Sequence, residues 1–126
     1  MAPAITWFQI PAKDIARAKA FYETICAFSL EKMEAGPSME MWSFPADWRG
    51  GEIGGALVAG DGAVPSATGT AVFLNANPDL QVVLDRVEAA GGKVLMPKTA
   101  IGMDDAGHFA MIADTEGNTV GLHSQG

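Results

Sequence analysis

The segment TAVFLNANPDLQVVLDRVEAAGG, residues 70–92, holds a strand, a helix and signals for both ends of that helix. TAVFLNA is rich in β-branched and aromatic residues and reads as a strand. In the residues after it, Leu80, Val83, Leu84 and Val87 recur at helical spacing and describe one apolar stripe. Asn77 reads as the N-cap, Pro78 as the first helical residue and Gly91 as the left-handed residue that closes the helix. Beyond Gly92, the segments KVLMP, HFAMIA and TVGLHS read as three short strands.

The same order appears upstream. AITWFQI (4–10) reads as a strand ended by Pro11, and DIARAKAFYETICAF (14–28) as a helix capped by Asp14, with Ile15, Ala18, Phe21, Tyr22 and Ile25 as its stripe. SLEKM, MEMWSF and IGGALV follow as strands, the last two separated by the turn-rich loop PADWRGGE. Asp14 to Cys26 spans the same distance as Asp79 to Gly91, so the helices align directly. An internal repeat decides the architecture. The fold class expected is α+β, with two βαβββ modules forming a half-open barrel. One βαβββ unit cannot bury both faces of its sheet, but two can, with helices outside and the inner faces lining a cleft. The whole chain, 1–126, reads as a single domain: module 1 (1–60) and module 2 (67–126), joined by the Gly- and Pro-rich linker AGDGAVPSATG at 59–69.

Composition narrows the function. With 48% hydrophobic residues in 126, the chain can bury a core without disulfides or a structural metal. The one cysteine, Cys26, cannot form an internal bridge, and MAPAITWFQIP has no basic stretch ahead of an apolar run. Together these make the cytoplasm the expected compartment. No apolar run approaches the ~20 residues that span a bilayer. A net charge of −7 without a basic patch argues against nucleic acid or anionic membrane as partners.

Three stretches, IPAKDIARAKAFYETICAF, AVFLNANPDLQVVLDRVEAAGGKVLMPKT and GHFAMIADTEGNTVGLH, resemble the vicinal oxygen chelate superfamily of glyoxalase I, extradiol dioxygenases and bleomycin-resistance proteins. The specific parts are Phe21-Tyr22, Gly91-Gly92 and the D-x-x-G-N turn of Asp114, Gly117 and Asn118. Within the superfamily the chain is most similar to short two-module proteins related to lactoylglutathione lyase. Ala27 departs from the glycine usual after the first helix.

The resemblance implies a divalent metal in the cup, held by His, Gln or Glu on the first and last strand of each module. Carried over by distance from helix and turn, those positions are Trp7, Gly54 or Gly55, Val72 and Gly121. None can ligate through its side chain. The expectation is therefore no metal and no cofactor, unless a site is rebuilt from His108, His123, Glu40 or Glu52. Strand alternation puts Ile5 and Gln9 beside Trp7, Thr119 and His123 beside Gly121, and Thr70 and Leu74 beside Val72, with Phe73 toward the helix. The expected ligand-binding set is Trp7, Gln9, Trp42, Trp48, Val72, His108, Gly121 and His123, and His123 is the best catalytic candidate. Each has a plainer reading: Trp7 as filler of the lost metal site, Gln9 as a backbone partner, His123 and His108 as rim residues, Trp42 and Trp48 as core or interface.

Three functions follow as expectations. The first is a metal-free protein binding a small, partly apolar or aromatic molecule, including a drug-sequestering resistance protein. The second is a lyase- or isomerase-like or dioxygenase-like enzyme with a relocated metal or His-based acid–base chemistry. The third is an interaction module. Open sheet edges and the resemblance predict a homodimer.

Overall fold

Asp14 starts the first helix as the sequence predicts: its backbone is extended and its carboxylate accepts the Arg17 N–H. The computed structural model describes residues 3–126; Met1 and Ala2, which open the first module, lie outside the described residues. The elements are β1 (Trp7–Pro11), α1 (Ile15–Cys26), β2 (Glu31–Met33), β3 (Met39–Ser43), β4 (Gly54–Gly60), β5 (Phe73–Asn75), α2 (Leu80–Val87), β6 (Lys93–Ala100), β7 (His108–Ala113) and β8 (Thr119–Ser124). They form two four-stranded sheets, ordered β1-β4-β3-β2 and β5-β8-β7-β6. In each, the strand before the helix runs parallel to the last strand of its unit. The chain is α+β, a βαβββ unit used twice, and neither sheet closes into a barrel.

Two helix ends refine the sequence reading. Ala27 takes the left-handed conformation at φ 56°, so alanine accepts the geometry glycine would hold more cheaply, at about 1 kcal/mol. The cap of α2 is Asp79, not Asn77, and Pro78 stands outside the helix. Asn77 is engaged elsewhere: its Oδ1 accepts the Gln125 N–H at 2.7 Å and its Nδ2 donates to Asn75 at 2.8 Å. Gly91 is left-handed at φ 101°, as expected.

One hydrophobic core serves both units. Ile10 and Leu57 from the first sheet and Leu74, Ile112 and Leu122 from the second meet Phe21, Tyr22 and Ile25 of α1 and Leu80, Leu84 and Val87 of α2. The helices also touch one another. The core-facing side of each sheet is fixed by alternation: even-numbered residues on β1, β3, β5 and β8, odd-numbered on β4.

The β7–β8 turn joins the two halves. Asp114, Glu116 and Asn118 are only 6%, 4% and 6% exposed, and every one has partners. Asp114 Oδ2 accepts the Tyr22 hydroxyl at 2.8 Å, and Asn118 Nδ2 donates to the Pro11 carbonyl at 2.7 Å. Glu116 accepts the Lys13 and Asp14 N–H groups at 2.8 and 2.7 Å and pairs with Arg17 at 2.6 Å. Burial alone would raise the Glu116 carboxyl. Arg17, the Asp14 amide and the Thr115 hydroxyl outweigh it and bring the carboxyl to about 2. The same clasp pushes the Tyr22 hydroxyl well above its ordinary range, through burial first and the Asp114 carboxylate second.

Candidate functional site

The faces turned away from the core carry the candidate site. On β1 this face holds Trp7 and Gln9; on β4 it holds Gly54, Ala56 and Val58. Trp7 lies opposite Gly54, and a Cβ at Gly54 would stand 2.9 Å from the Trp7 ring. Asp47 positions a second tryptophan. Its carboxylate caps the short 3-10 turn Trp48–Gly50, and its own N–H donates to Glu52 at 2.6 Å. Trp48 then meets Trp7 edge to face, with ring centroids 5.8 Å apart, and the Arg49 guanidinium lies 4.3 Å over the Trp48 ring.

The second sheet repeats the arrangement with a different ring. Phe73 lies opposite Gly121, and a Cβ at Gly121 would stand 2.2 Å from the Phe73 ring. Phe109 and Met111 share that face, Phe109 opposite His123 and Met111 opposite Gly121. The Phe73 and Phe109 rings are 6.4 Å apart. Each glycine thus leaves space that the aromatic ring of the neighbouring parallel strand fills.

This register corrects the sequence reading of β5. Phe73, not Val72, occupies the position equivalent to Trp7, because the path from strand to capping aspartate is one residue shorter in the second half. Leu74 is buried in the core, Val72 packs against it, and Phe73 is 51% exposed on the opposite face. Three apolar residues in a row, Val72, Phe73 and Leu74, left the alternation unreadable from sequence. In the first half, the glycine on the site face is Gly54; Gly55 turns to the core, against the Phe8 ring.

Two more expected site residues point elsewhere. Trp42 pairs with Leu57 on the core side of its sheet, where Lys19 of α1 lies 4.7 Å over its ring. His108 shares the parity of Ala110 and Ile112 and so faces the helix side of β7. Its Nδ1 is buried without a hydrogen-bond partner. Trp7, Gln9, Trp48, Gly121 and His123 do lie on or beside the site faces. His123 has a partner of its own: its Nε2 lies 2.7 Å from the Ala106 carbonyl, which a ring N–H satisfies by donating. It tethers the loop between β6 and β7.

The residues at the superfamily's ligand positions do not fit a divalent metal. Indole, phenyl and two hydrogens present no lone pair, and the rings fill the space a ligand side chain would need. The substitutes weighed from sequence are dispersed. Glu40 accepts the Trp42 indole N–H at 2.9 Å, Glu52 accepts the Asp47 N–H, and His108 and His123 face opposite sides of the second sheet. Among the described residues, no three His, Cys, Asp or Glu side chains converge. Cys26 is half-buried, and burial pushes its thiol up to about 11. No helix of the described residues is long and apolar enough to cross a membrane.

Two cavities lie along the first sheet. One, of about 510 Å³, opens between β2 and β3 beside Glu34 and Ser38. The other, of about 240 Å³, lies on the site face beside Gln9 and Val58. Neither draws on the second sheet.

Comparison with known proteins agrees with the topology. Solved structures of like fold include a hypothetical protein from S. aureus (TM-score 0.67, 17% identity, 98% of this chain and 95% of that one). A glyoxalase/bleomycin resistance protein from Streptomyces sp. CB03234 superposes at TM-score 0.67 with 23% identity over 94% of this chain and 97% of its own. A genomically encoded fosfomycin resistance protein from Listeria monocytogenes does so at 0.65 with 14% identity over 98% and 92%. No curated protein matches by sequence. A family model matches residues 4–122, and the chain accordingly belongs to the Glyoxalase/Bleomycin resistance protein/Dioxygenase superfamily.

Proposed function

We propose that this protein binds a small, partly apolar or aromatic molecule on the faces carrying Trp7, Gln9 and Trp48 on one sheet and Phe73, Gly121 and His123 on the other, without the metal usual in its superfamily. One observation carries the reading. At both equivalent strand pairs an aromatic ring lies over a glycine, Trp7 over Gly54 and Phe73 over Gly121, where ligating side chains would otherwise stand. Phe73, exposed, and Trp7, partly buried, are rings with glycine behind them on which a planar molecule can stack. A drug-sequestering resistance role is one form of this reading. The competing reading, a lyase- or isomerase-type enzyme working through His123, has less behind it, since His123 Nε2 is already committed to the Ala106 carbonyl.

The cup is completed by a second copy of the chain. Both aromatic faces turn away from the shared core, and neither of the two cavities described above is lined by both sheets. Phe73 and Met96 of the second sheet are 51% and 41% exposed, and a facing sheet would cover them. A homodimer of the 13.1 kDa chain is the expected species in solution.

The test is tryptophan fluorescence and thermal shift with 2-phenylethanol, 2-naphthol and indole, alongside metal analysis and sedimentation. At least one aromatic probe should quench and stabilise, and Trp7→Ala or Phe73→Ala should weaken it about tenfold or more. Unchanged shifts in both variants would show that the site lies elsewhere. A stoichiometric divalent metal after purification would sink the metal-free reading.

A further inference from the structure

The linker that joins the two modules begins with a turn on the site face of the first sheet. Gly60 and Gly62 have φ of 129° and 79°, and the Ala63 N–H donates to the Gly60 carbonyl at 3.1 Å. The Asp61 N–H donates to Ser38 across the mouth of the β3 strand. This tight turn brings Asp61 and Val64, both exposed, to the rim of an open pocket of about 240 Å³ that Gln9, Pro11, Met39 and Val58 also line. Val58 is only 2% exposed, yet it is not part of the main core. It lines the pocket together with this turn.

The chemistry of the cavity is one-sided. Its floor is apolar, its polar side chains are the Gln9 amide and the Asp61 carboxylate, and no lysine or arginine lines it. Asp61 takes part in no ion pair among the described residues. Gln9 stands two residues from Trp7 on the same strand face, roughly 7 Å along the chain. The volume matches about eight water molecules, enough for an alkylammonium head with its first carbons.

We infer that this cavity is a subsite for a protonated amine, so that the bound molecule is an aromatic or apolar amine whose ammonium sits between Asp61 and Gln9 while its ring reaches Trp7. This rests on the proposed aromatic site and specifies its ligand class. The carboxylate supplies a charge-assisted hydrogen bond, the amide oxygen a second acceptor, and Met39 and Val58 cover the methylenes. The chain's net charge of −7 favours the approach of a cation.

Three probes of one shape separate the possibilities: phenethylamine, 2-phenylethanol and 3-phenylpropionate, read by tryptophan quenching at low and high salt with wild type and Asp61→Asn. Phenethylamine should bind wild type about fivefold to tenfold more tightly than the alcohol, and the carboxylate more weakly than either. The preference should shrink in high salt. Asp61→Asn should remove it, leave 2-phenylethanol unchanged and keep the melting temperature, because the Asp61 side chain supports no other group. Equal binding of all three, or a preference that survives Asp61→Asn, overturns the amine subsite while leaving the aromatic site standing. If no probe binds wild type, both readings fall together.

Discussion

The two sheets have one strand order and one helix each, but they differ in what covers the face away from the core. On the first, Trp7 is braced by Trp48, Trp48 by Arg49, and the turn at 60–64 lines a pocket with Val58. On the second, Phe73 has Phe109 as its ring neighbour and stands half exposed. A repeated backbone therefore does not produce a repeated site. The backbone repeats because strand–helix–strand packing needs only an apolar pattern. The faces diverge because their covering comes from loops, and loops of different length can place different side chains. The first half reaches β4 through the long loop 44–53, whereas the second reaches β8 through the short turn 114–118.

The largest expected effect comes from the clasp that holds the halves together. Glu116→Ala leaves two backbone N–H groups and Arg17 without their acceptor, and should cost about 2–4 kcal/mol in denaturant unfolding. A loss below about 0.5 kcal/mol would show that the shared core alone unites the sheets. Acid provides a second arm of the same experiment. The folded carboxyl lies near 2, below its ordinary 4.5, so its stabilisation is complete above pH 4.5 and is lost as pH falls toward 2. The melting temperature of wild type should fall through that window, and the part due to Glu116 should be missing from the variant.

A pair of glycine substitutions probes the difference between covered and open rings. In Gly55→Ala the new methyl would lie 2.2 Å from the Phe8 ring, which is packed against Phe44 with centroids 5.3 Å apart. Phe8 has little room to move, and the expected loss is about 2 kcal/mol. Gly121→Ala makes an equally close contact, 2.2 Å, with Phe73. In the single chain Phe73 is 51% exposed and can swing into solvent, so at protein concentrations low enough to separate the copies the expected loss is under about 0.5 kcal/mol. In the proposed dimer the facing copy confines Phe73, and the Gly121→Ala loss measured by chemical denaturation should rise toward that of Gly55→Ala as protein concentration increases. A Gly121→Ala loss that is small and independent of protein concentration would argue against a second copy over Phe73.

The smallest effect belongs to His123. Removing its hydrogen bond to Ala106 by His123→Ala should cost about 1 kcal/mol and speed amide hydrogen exchange in residues 101–107, with little change in β5 or β7. Unchanged exchange in that loop would mean that the imidazole does not tether it.

Much of the architecture was legible because it depends on short-range rules. Asp14 had to cap α1, since its carboxylate reaches the amide three residues on. The stripe Ala18, Phe21, Tyr22 and Ile25 had to be buried because it is the one continuous apolar face of that helix. The D-x-x-G-N turn was recognisable as a motif, but its work was not: the bonds from Asp114, Glu116 and Asn118 to Tyr22, Arg17 and Pro11 span about a hundred residues. The site was less legible. Counting put Trp7 and Gly121 on the face turned from the core, whereas it put Val72 there in place of Phe73 because a run of apolar residues carries no parity. Trp42 and His108 were misplaced because aromatic and imidazole side chains suit either face of a sheet.

By itself the sequence determined two βαβββ units, their helix stripes and the lack of ligating side chains at Trp7 and Gly121, since local spacing and side-chain chemistry settle those. Tertiary structure alone decided that Phe73 rather than Val72 mirrors Trp7, that Glu116 clasps the halves, and that Asp61 walls a cavity beside Gln9. Register, long-range hydrogen bonds and the path of a loop depend on which distant segments share the core, and no local pattern encodes that choice.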